Sequence, residues 1–292
     1  TMNCSMRLKN SKADREDTAA YNEEGRGFRM KQRIITAIVA IALFLPILIY
    51  GNIPFLILIY AMATIGLYEL LKMKKMPLMT ISSLLSFLLV WVLLIPDRYS
   101  SFFDMIQYDK MDIVIIIAFL LLVITVISKN AFTFDDAAFL LLSSLYIGVA
   151  FYYFFGTRDV GNGLLTILFV LITIWVTDSG AYFVGRSLGK RKLWPEISPN
   201  KTVEGFLGGV GSALVVAILF YFFSNLDYNI SKLIIMALLI SIFGQLGDLV
   251  QSAYKRHYGV KDSGNILPGH GGILDRFDSL IFILPILHFF IF

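Results

Sequence analysis

Residues 261–292 read KDSGNILPGHGGILDRFDSLIFILPILHFFIF, a polar, glycine-punctuated run that leads directly into an apolar segment. Asp275, Arg276 and Asp278 stand at the boundary between the two. An ionised side chain at membrane depth is costly and is a functional candidate by default. This stretch therefore predicts a membrane-spanning helix whose polar end carries a functional site.

The composition is that of an integral membrane protein. Of the 292 residues, 57% are hydrophobic and 16% are charged, and the mean hydropathy is +0.75, whereas soluble domains carry about 25% charged residues. The single cysteine, Cys4, excludes a disulfide framework and a cysteine-based metal site. Residues 1–29 have mixed charge and no hydrophobic period, so we interpret them as a disordered leader or a cloning-derived remnant.

The remaining chain contains apolar segments of about the 20 residues that a helix needs to cross the hydrocarbon core. Nine such segments are residues 34–50, 53–71, 78–95, 112–128, 134–155, 163–184, 203–223, 232–251 and 274–292. They are continuously apolar, whereas the strands of a membrane barrel alternate. We therefore predict an all-α polytopic membrane protein of about nine transmembrane helices, with an N-terminal membrane region at 30–160 and a catalytic membrane region at 161–292.

The distribution of lysine and arginine predicts the orientation. With a cytoplasmic N-terminus, the inside loops hold fourteen cations, namely Lys31, Arg33, Lys72, Lys74, Lys75, Lys129, Arg186, Lys190, Arg191, Lys192, Lys201, Lys255, Arg256 and Lys261. The opposite loops hold four, namely Arg98, Lys110, Arg158 and Lys232. Since positive charge marks cytoplasmic loops, the N-terminus is predicted inside and the C-terminus on the opposite side. The polar stretches 185–202 and 252–273 then face the cytoplasm.

Four aspartates at the cytoplasmic ends of predicted spans are the main candidates for chemistry, and we expect them to converge. They are Asp178, Asp248, Asp275 and Asp278. Asp248, Ser252 and Lys255 share one face of a helix because they are spaced by four and three residues. Clustered carboxylates repel unless a cation joins them, and such oxygen ligands suit Mg²⁺. The sequence therefore predicts a magnesium site.

Two polar elements carry features suited to phosphate. In PGHGG (residues 268–272), the glycines let backbone N–H groups approach an anion just before a helix N-terminus. In SLGKRKLWPEISPNKTVEGF (187–206), Ser198 and Pro199 are typical of an N-cap and a first helical position. Lys201 and Thr202 would then lie in the first turn, with Lys201 holding a triphosphate. Glu204 either joins the metal site or pairs with Lys201.

Structural interpretations stand beside these functional ones. Aspartates and arginines at helix ends also serve as caps or interfacial ion pairs. His257 and His288 are interpreted as solvated or packing residues, whereas phosphate contact and a structural role are equally open for His270. A further group is typical of close helix packing, namely Gly205, Gly208, Gly209 and Gly211.

Residues 252–278, SAYKRHYGVKDSGNILPGHGGILDRFD, resemble the signature of the phosphatidate cytidylyltransferases, or CDP-diacylglycerol synthases. The matching positions are Ser252, Lys255, Arg256, Lys261, Asp262, Pro268, His270, Gly271, Gly272, Asp275, Arg276 and Asp278. DSGAYFVGR (178–186) and SPNKTVEGFLGG (198–209) also resemble the family. One departure is Gln251, where bacterial members usually carry glutamate, so either the position is tolerant or this version is impaired.

The resemblance implies that CTP and phosphatidate give CDP-diacylglycerol and pyrophosphate, by in-line attack of the lipid phosphate on the α-phosphorus. The implied catalytic residues are Ser252, Lys255, Arg256, Asp275 and Asp278. The implied substrate-binding residues are Lys201, Thr202, Lys261, Asp262, His270, Gly271, Gly272 and Arg276. The implied ligands of Mg²⁺, with room for a second cation, are Asp178, Asp248, Asp275 and Asp278, although Asp178 alternatively binds the nucleotide.

We further expect a multi-pass protein of the inner cell membrane whose site faces the cytoplasm, which binds bilayer lipid and no nucleic acid and favours a homodimer. The alternative function is an ion-coupled transporter, because intramembrane acids and glycine-broken helices also describe ion pathways. The acids cluster at the cytoplasmic ends rather than the midplane, and no internal repeat is evident. The spaced-aspartate pattern of the CDP-alcohol enzymes is absent.

Overall fold

A computed structural model of the chain describes residue 32 and residues 35–99 and 107–291. Within these ranges it contains nine helices and one small hairpin. The helices are α1 (Ile35–Tyr50), α2 (Asn52–Met73), α3 (Ile81–Leu93), α4 (Lys110–Ile127), α5 (Phe134–Asp159), α6 (Gly163–Leu188), α7 (Val203–Phe223), α8 (Ile230–His257) and α9 (Leu274–Ile291). A 3₁₀ turn occupies Asp97–Tyr99. The predicted leader, residues 1–29, lies outside the described residues.

Each of the nine predicted apolar segments overlaps one of these helices over most of its length. In the described part, six of them, α2 and α4 to α8, are long and apolar enough to cross a membrane. The shorter ones are α1 and α3, while α9 has 18 residues and contains Pro285. The prediction of a polytopic helical protein is confirmed at this level, whereas the count of nine crossings and the sides of the termini stay predictions.

Residues 192–202 correct the prediction of an all-α chain in one place. β1 (Lys192–Trp194) pairs antiparallel with β2 (Ser198–Thr202). The predicted cap at Ser198 is wrong because the backbone of residues 198–202 pairs across the hairpin, so that α7 starts only at Val203. Its N-cap is Thr202, whose hydroxyl accepts a hydrogen bond from Gly205 N at 3.1 Å. Lys201 therefore lies on a strand rather than in a helical turn.

The interface between α6 and α7 is lined by glycines. A Cβ atom on Gly208 would collide with the side chain of Val184, and one on Gly209 would lie 3.0 Å from the carbonyl oxygen of Thr177. Small residues let helix backbones approach in this way. The packing role predicted for Gly205, Gly208 and Gly209 is confirmed, but it is wrong for Gly211, because nothing lies within 4 Å of the Cβ position there.

The final helix packs against both halves of the chain. On α8, Gly244 and Gly247 allow close contact with Ile283 and with the backbone of Asp278 and Ser279. On the other side of α9, the ring of Phe277 lies 5.8 Å from that of Phe44 on α1 and 6.4 Å from that of Phe154 on α5. The polar start of α9 is thereby fixed between the N-terminal and the C-terminal helices.

Candidate functional site

The four predicted aspartates line one cavity. This acidic cavity, of about 330 Å³, lies among α6, α8 and the start of α9. Its charged lining residues are Asp178, Asp248, Asp275, Arg276 and Asp278, and Trp175 and Phe277 contribute apolar walls. The expected convergence of the aspartates is therefore present in the structure, although they come from three helices that are distant in sequence.

Two of these four carboxylates are paired with lysine. Lys255 Nζ lies 2.7 Å from Asp275 Oδ1, and both side chains are largely buried. Lys201 Nζ lies 2.5 Å from Asp248 Oδ2, in a more exposed position. Neither Asp178 nor Asp278 forms an ion pair with a described lysine, arginine or histidine. The cavity thus combines two carboxyl groups that form ion pairs with lysine and two that form none with a described residue.

Asp275 is held by the loop that precedes α9. Its Oδ2 accepts hydrogen bonds from Ser263 N at 2.8 Å, Ser263 Oγ at 2.9 Å and Gly272 N at 3.0 Å. Gly271 has a φ of +85°, and a Cβ atom there would collide with Asp275 Oδ2. The glycines that were predicted to approach a phosphate therefore wrap a carboxylate in this structure.

Glu69 on α2 belongs to the same network, and the sequence analysis missed it. It is fully buried, and it accepts hydrogen bonds from Ile273 N at 2.8 Å, Leu274 N at 2.9 Å and Ser263 Oγ at 3.0 Å. Glu69 is the only acidic residue in the predicted span 53–71. An isolated carboxylate inside an apolar span was the signal that could have identified it.

A second cavity adjoins the first through Asp178 and Asp248. This hairpin cavity, of about 450 Å³, is also lined by Arg186, Asn200, Lys201, Thr202 and Gln245. Lys201 and Thr202 thus line this cavity, although the Thr202 hydroxyl is used to cap α7. Glu204 accepts hydrogen bonds from the backbone N–H groups of Lys190 and Arg191 at 3.0 and 3.2 Å. The alternative that paired it with Lys201 is therefore wrong, and Glu204 lines neither the acidic cavity nor the hairpin cavity.

A third, more open cavity lies over the loop before α9. This loop cavity, of about 570 Å³, has polar lining residues that include Lys261, Asp262, Asn265, His270 and Arg276. Arg276 lines both the loop cavity and the acidic cavity, and its Nε donates to the carbonyl oxygen of His270 at 3.1 Å. The substrate-binding residues predicted for this loop therefore line one cavity, except Gly272, whose N–H donates to Asp275.

Four predicted residues line none of these three cavities, namely Ser252, Lys255, Arg256 and Gly272. Arg256 is exposed, and its Nε donates to the carbonyl oxygen of Ile197 at 3.3 Å. Ser252 is partly buried on α8, three residues before Lys255. Of the other histidines, His257 is exposed, and the ring of His288 stacks on Tyr153 with centroids 4.1 Å apart, which agrees with the solvated and packing interpretations.

The acidic cavity has the donor chemistry for Mg²⁺. In the ranges that the structure covers, no three acidic or histidine side chains form a preformed metal cluster. Mg²⁺ is, however, commonly held by one or two carboxylates, with waters and substrate phosphates as the remaining ligands. Asp178 and Asp278 fit that requirement because they face a shared cavity and lack a cationic partner among the described residues.

Comparisons with known proteins all match cytidylyltransferases. Residues 31–292 match the cytidylyltransferase family. A protein of Bacillus subtilis named phosphatidate cytidylyltransferase is 55% identical over 261 residues, which are 89% of this chain and 97% of that protein. Proteins of the same name from Staphylococcus haemolyticus and Staphylococcus epidermidis are 49% and 48% identical over 259 residues, with 89% of this chain and 98% of each protein covered. None of these names indicates a transporter.

Proposed function

We propose, from the premise that this chain belongs to the cytidylyltransferase family, that it converts CTP and phosphatidate to CDP-diacylglycerol and pyrophosphate. The observation that carries the proposal is the acidic cavity, where four carboxylates and an arginine from three helices meet. Lys201 and Lys255 lie at its margin, each paired with one of those carboxylates. Such a mixture of metal ligands and phosphate-binding cations suits transfer between phosphates.

The position of the site suits substrates from two phases. Under the predicted orientation, the acidic cavity opens at the cytoplasmic ends of α6, α8 and α9, at the level of the lipid headgroups. CTP would enter from the cytoplasm, and phosphatidate would enter sideways from the inner cell membrane. The exposed Trp175 on the wall of the acidic cavity supports an opening towards lipid, since tryptophan is enriched at membrane interfaces.

The reaction is a single in-line displacement. A phosphate oxygen of phosphatidate forms a bond to the α-phosphorus of CTP, and the bond from that phosphorus to the bridging oxygen of the β-phosphate breaks. Pyrophosphate leaves with the electron pair. Because a phosphomonoester dianion is already a nucleophile, no general base is required, and catalysis rests on positioning and on neutralising charge.

The side chains divide these tasks. Lys201, Lys255, Lys261 and Arg276 neutralise phosphate oxygens, and Lys255 exchanges the Asp275 carboxylate for a phosphate when substrate is bound. Asp178, Asp248 and Asp278 would hold Mg²⁺, which would supply further positive charge next to the phosphates. Asp275 Oδ1, which pairs with Lys255 in this structure, would be a further ligand if Lys255 turned to a phosphate, while Oδ2 would stay held by the loop.

The direct test uses the purified full chain in detergent with CTP, phosphatidate and Mg²⁺. We expect equal amounts of pyrophosphate and of a cytidine-linked lipid, with ATP and GTP as nucleotide controls and with no product when Mg²⁺ is chelated. If the protein is folded under these conditions and consumes no CTP, the proposal is contradicted. Ion transport in sealed vesicles without CTP chemistry would favour the transporter.

A further inference from the structure

Glu69 is buried without a cationic partner, yet both of its carboxylate oxygens accept hydrogen bonds. Among the described residues it forms no ion pair. Its three hydrogen bonds come from Ser263 Oγ and from the backbone N–H groups of Ile273 and Leu274. Those two N–H groups lie at the start of α9, because Leu274 is its first residue and Ile273 directly precedes it, and the helix itself supplies no acceptor there. A carboxylate is also favoured there by the helix dipole.

The surrounding loop is shaped around this carboxylate. A Cβ atom on Gly264 would lie 2.7 Å from Glu69 Oε1, and a Cβ atom on Gly272 would collide with Glu69 Oε1 and Ser263 Oγ. On α2, a Cβ atom on Gly66 would lie 3.2 Å from a methyl group of Leu274. The glycines therefore allow the loop and α9 to close over Glu69 from both sides.

Ser263 connects Glu69 to the acidic cavity. Its hydroxyl lies 3.0 Å from Glu69 Oε2 and 2.9 Å from Asp275 Oδ2. A hydroxyl has one proton to donate, whereas the backbone N–H of Ser263 also serves Asp275, at 2.8 Å. If the hydroxyl donates to Glu69, the backbone still holds Asp275, so that both carboxylates are fixed to one residue.

We infer that Glu69 is a positioning residue for the reaction: from α2, it fixes Ser263 and the start of α9 so that Asp275 faces Lys255. This inference rests on the proposed function, because it assigns Glu69 a role in the same centre. Glu69 touches neither Lys255 nor the acidic cavity, so it acts through Ser263 and the N–H groups of Ile273 and Leu274. The N-terminal helices thus contribute to the geometry of a site whose sequence motifs all lie after residue 177.

The test compares Glu69→Gln with wild type. Glutamine keeps the shape, but its amide nitrogen cannot accept a hydrogen bond, so one set of donors on the loop loses its partner. We expect kcat to fall about 10-fold or more with KM for CTP changed less than about 3-fold, because misplaced groups lower kcat. We also expect faster hydrogen exchange at the amides of Ile273 and Leu274. A thermal midpoint close to that of wild type separates this outcome from general unfolding.

The matched control is Ser86→Ala. Ser86 is also fully buried in the N-terminal helices, and its hydroxyl donates to the carbonyl oxygen of Ser83 at 2.7 Å. We expect this variant to keep both the wild-type kcat and the wild-type exchange of residues 263–275. Equal loss of kcat in both variants would show a general packing effect and overturn the inference.

The remaining outcomes also decide the question. Unchanged kcat in folded Glu69→Gln overturns the inference. If Glu69→Gln does not fold, Ser263→Ala decides: a several-fold lower kcat with an unchanged midpoint supports the inference, and an unchanged kcat overturns it. If wild type consumes no CTP, the proposed function fails, and the exchange at Ile273 and Leu274 alone decides whether Glu69 positions α9.

Discussion

Gln251 is fully buried on α8, and neither atom of its side-chain amide has a hydrogen-bond partner among the described residues. It lies four residues after Gly247, which touches the backbone of α9, and four residues before Lys255, which pairs with Asp275. Residues at this spacing share one helical face. The amide therefore sits in the α8 to α9 interface beside the acidic cavity, where an unpaired polar group costs about 1–3 kcal/mol.

Replacing Gln251 with methionine removes both unpaired polar atoms while keeping a long, unbranched side chain. We expect Gln251→Met to keep the free energy of unfolding or to raise it by about 1 kcal/mol, which a thermal melt in detergent measures. A midpoint several degrees lower would show that the amide has a stabilising partner. If the wild-type protein turns over CTP in the assay, position 251 tolerates glutamine.

The convergence of the four aspartates could be predicted from sequence because its signal is local. Asp178, Asp248, Asp275 and Asp278 are polar positions at the ends of apolar runs, and such positions can be recognised without knowing the partner. Glu69 could not be assigned its partners in this way, because its hydrogen bond to Leu274 spans 205 positions of the chain. The pairing of Lys201 with Asp248 could not be predicted either, because it depends on how the hairpin folds over α8.

At the scale of elements, the packing of α8 against α9 determines the distance between their acidic side chains. A Cβ atom on Gly247 would lie 2.7 Å from Phe282 Cβ and 2.9 Å from the carbonyl oxygen of Asp278. These are backbone-level contacts that cannot yield by rotating one side chain. The two helices must separate if Gly247 is enlarged.

We therefore expect Gly247→Ala to destabilise the protein by about 1–3 kcal/mol and to lower turnover, as read from the thermal midpoint and the rate of pyrophosphate release. Gly211→Ala is the matched control, since it lies in α7 with nothing within 4 Å of its Cβ position. There alanine should be neutral or slightly stabilising, because it favours helix more than glycine does. Equal effects of the two substitutions would contradict the packing argument.

The β1–β2 hairpin explains why α7 starts at Val203 and not just after Ser198. Ser198 and Pro199 have the local features of a helix start, but β2 uses that backbone to pair with β1. The carboxylate of Glu204 then accepts from the N–H groups of Lys190 and Arg191, next to β1. Local capping preference was outweighed by pairing with a segment several residues earlier.

At the scale of the whole molecule, the hydrophobic pattern predicted the helices because membrane spans are long and continuously apolar. It could not predict how they are arranged, since apolar residues face lipid as well as protein. Phenylalanine illustrates this, because Phe222 and Phe223 are exposed whereas Phe151 and Phe154 are buried. The predicted orientation of the chain in the membrane depends only on the distribution of lysine and arginine, and it can be measured directly.

Cysteine labelling tests that orientation. Cys4 is the only cysteine, so Cys4→Ser gives a background for single reporters. We expect Lys190→Cys, on the exposed loop beside the hairpin, to react with a membrane-impermeant thiol reagent only from the cytoplasmic side. Asp227→Cys, on the exposed loop between α7 and α8, should react only from the opposite side. The reverse pattern would place the site on the wrong face for CTP.

Asp278 gives the most direct test of whether CTP and phosphatidate react in the acidic cavity. The measurement is the initial rate of pyrophosphate release from CTP, phosphatidate and Mg²⁺ by wild type, Asp278→Asn and the exposed loop control Asp227→Asn. We predict a loss of roughly 100-fold or more in Asp278→Asn, by analogy with the removal of one charge-stabilising group, an unchanged thermal midpoint, and a wild-type rate in Asp227→Asn. Full activity of folded Asp278→Asn would contradict the account.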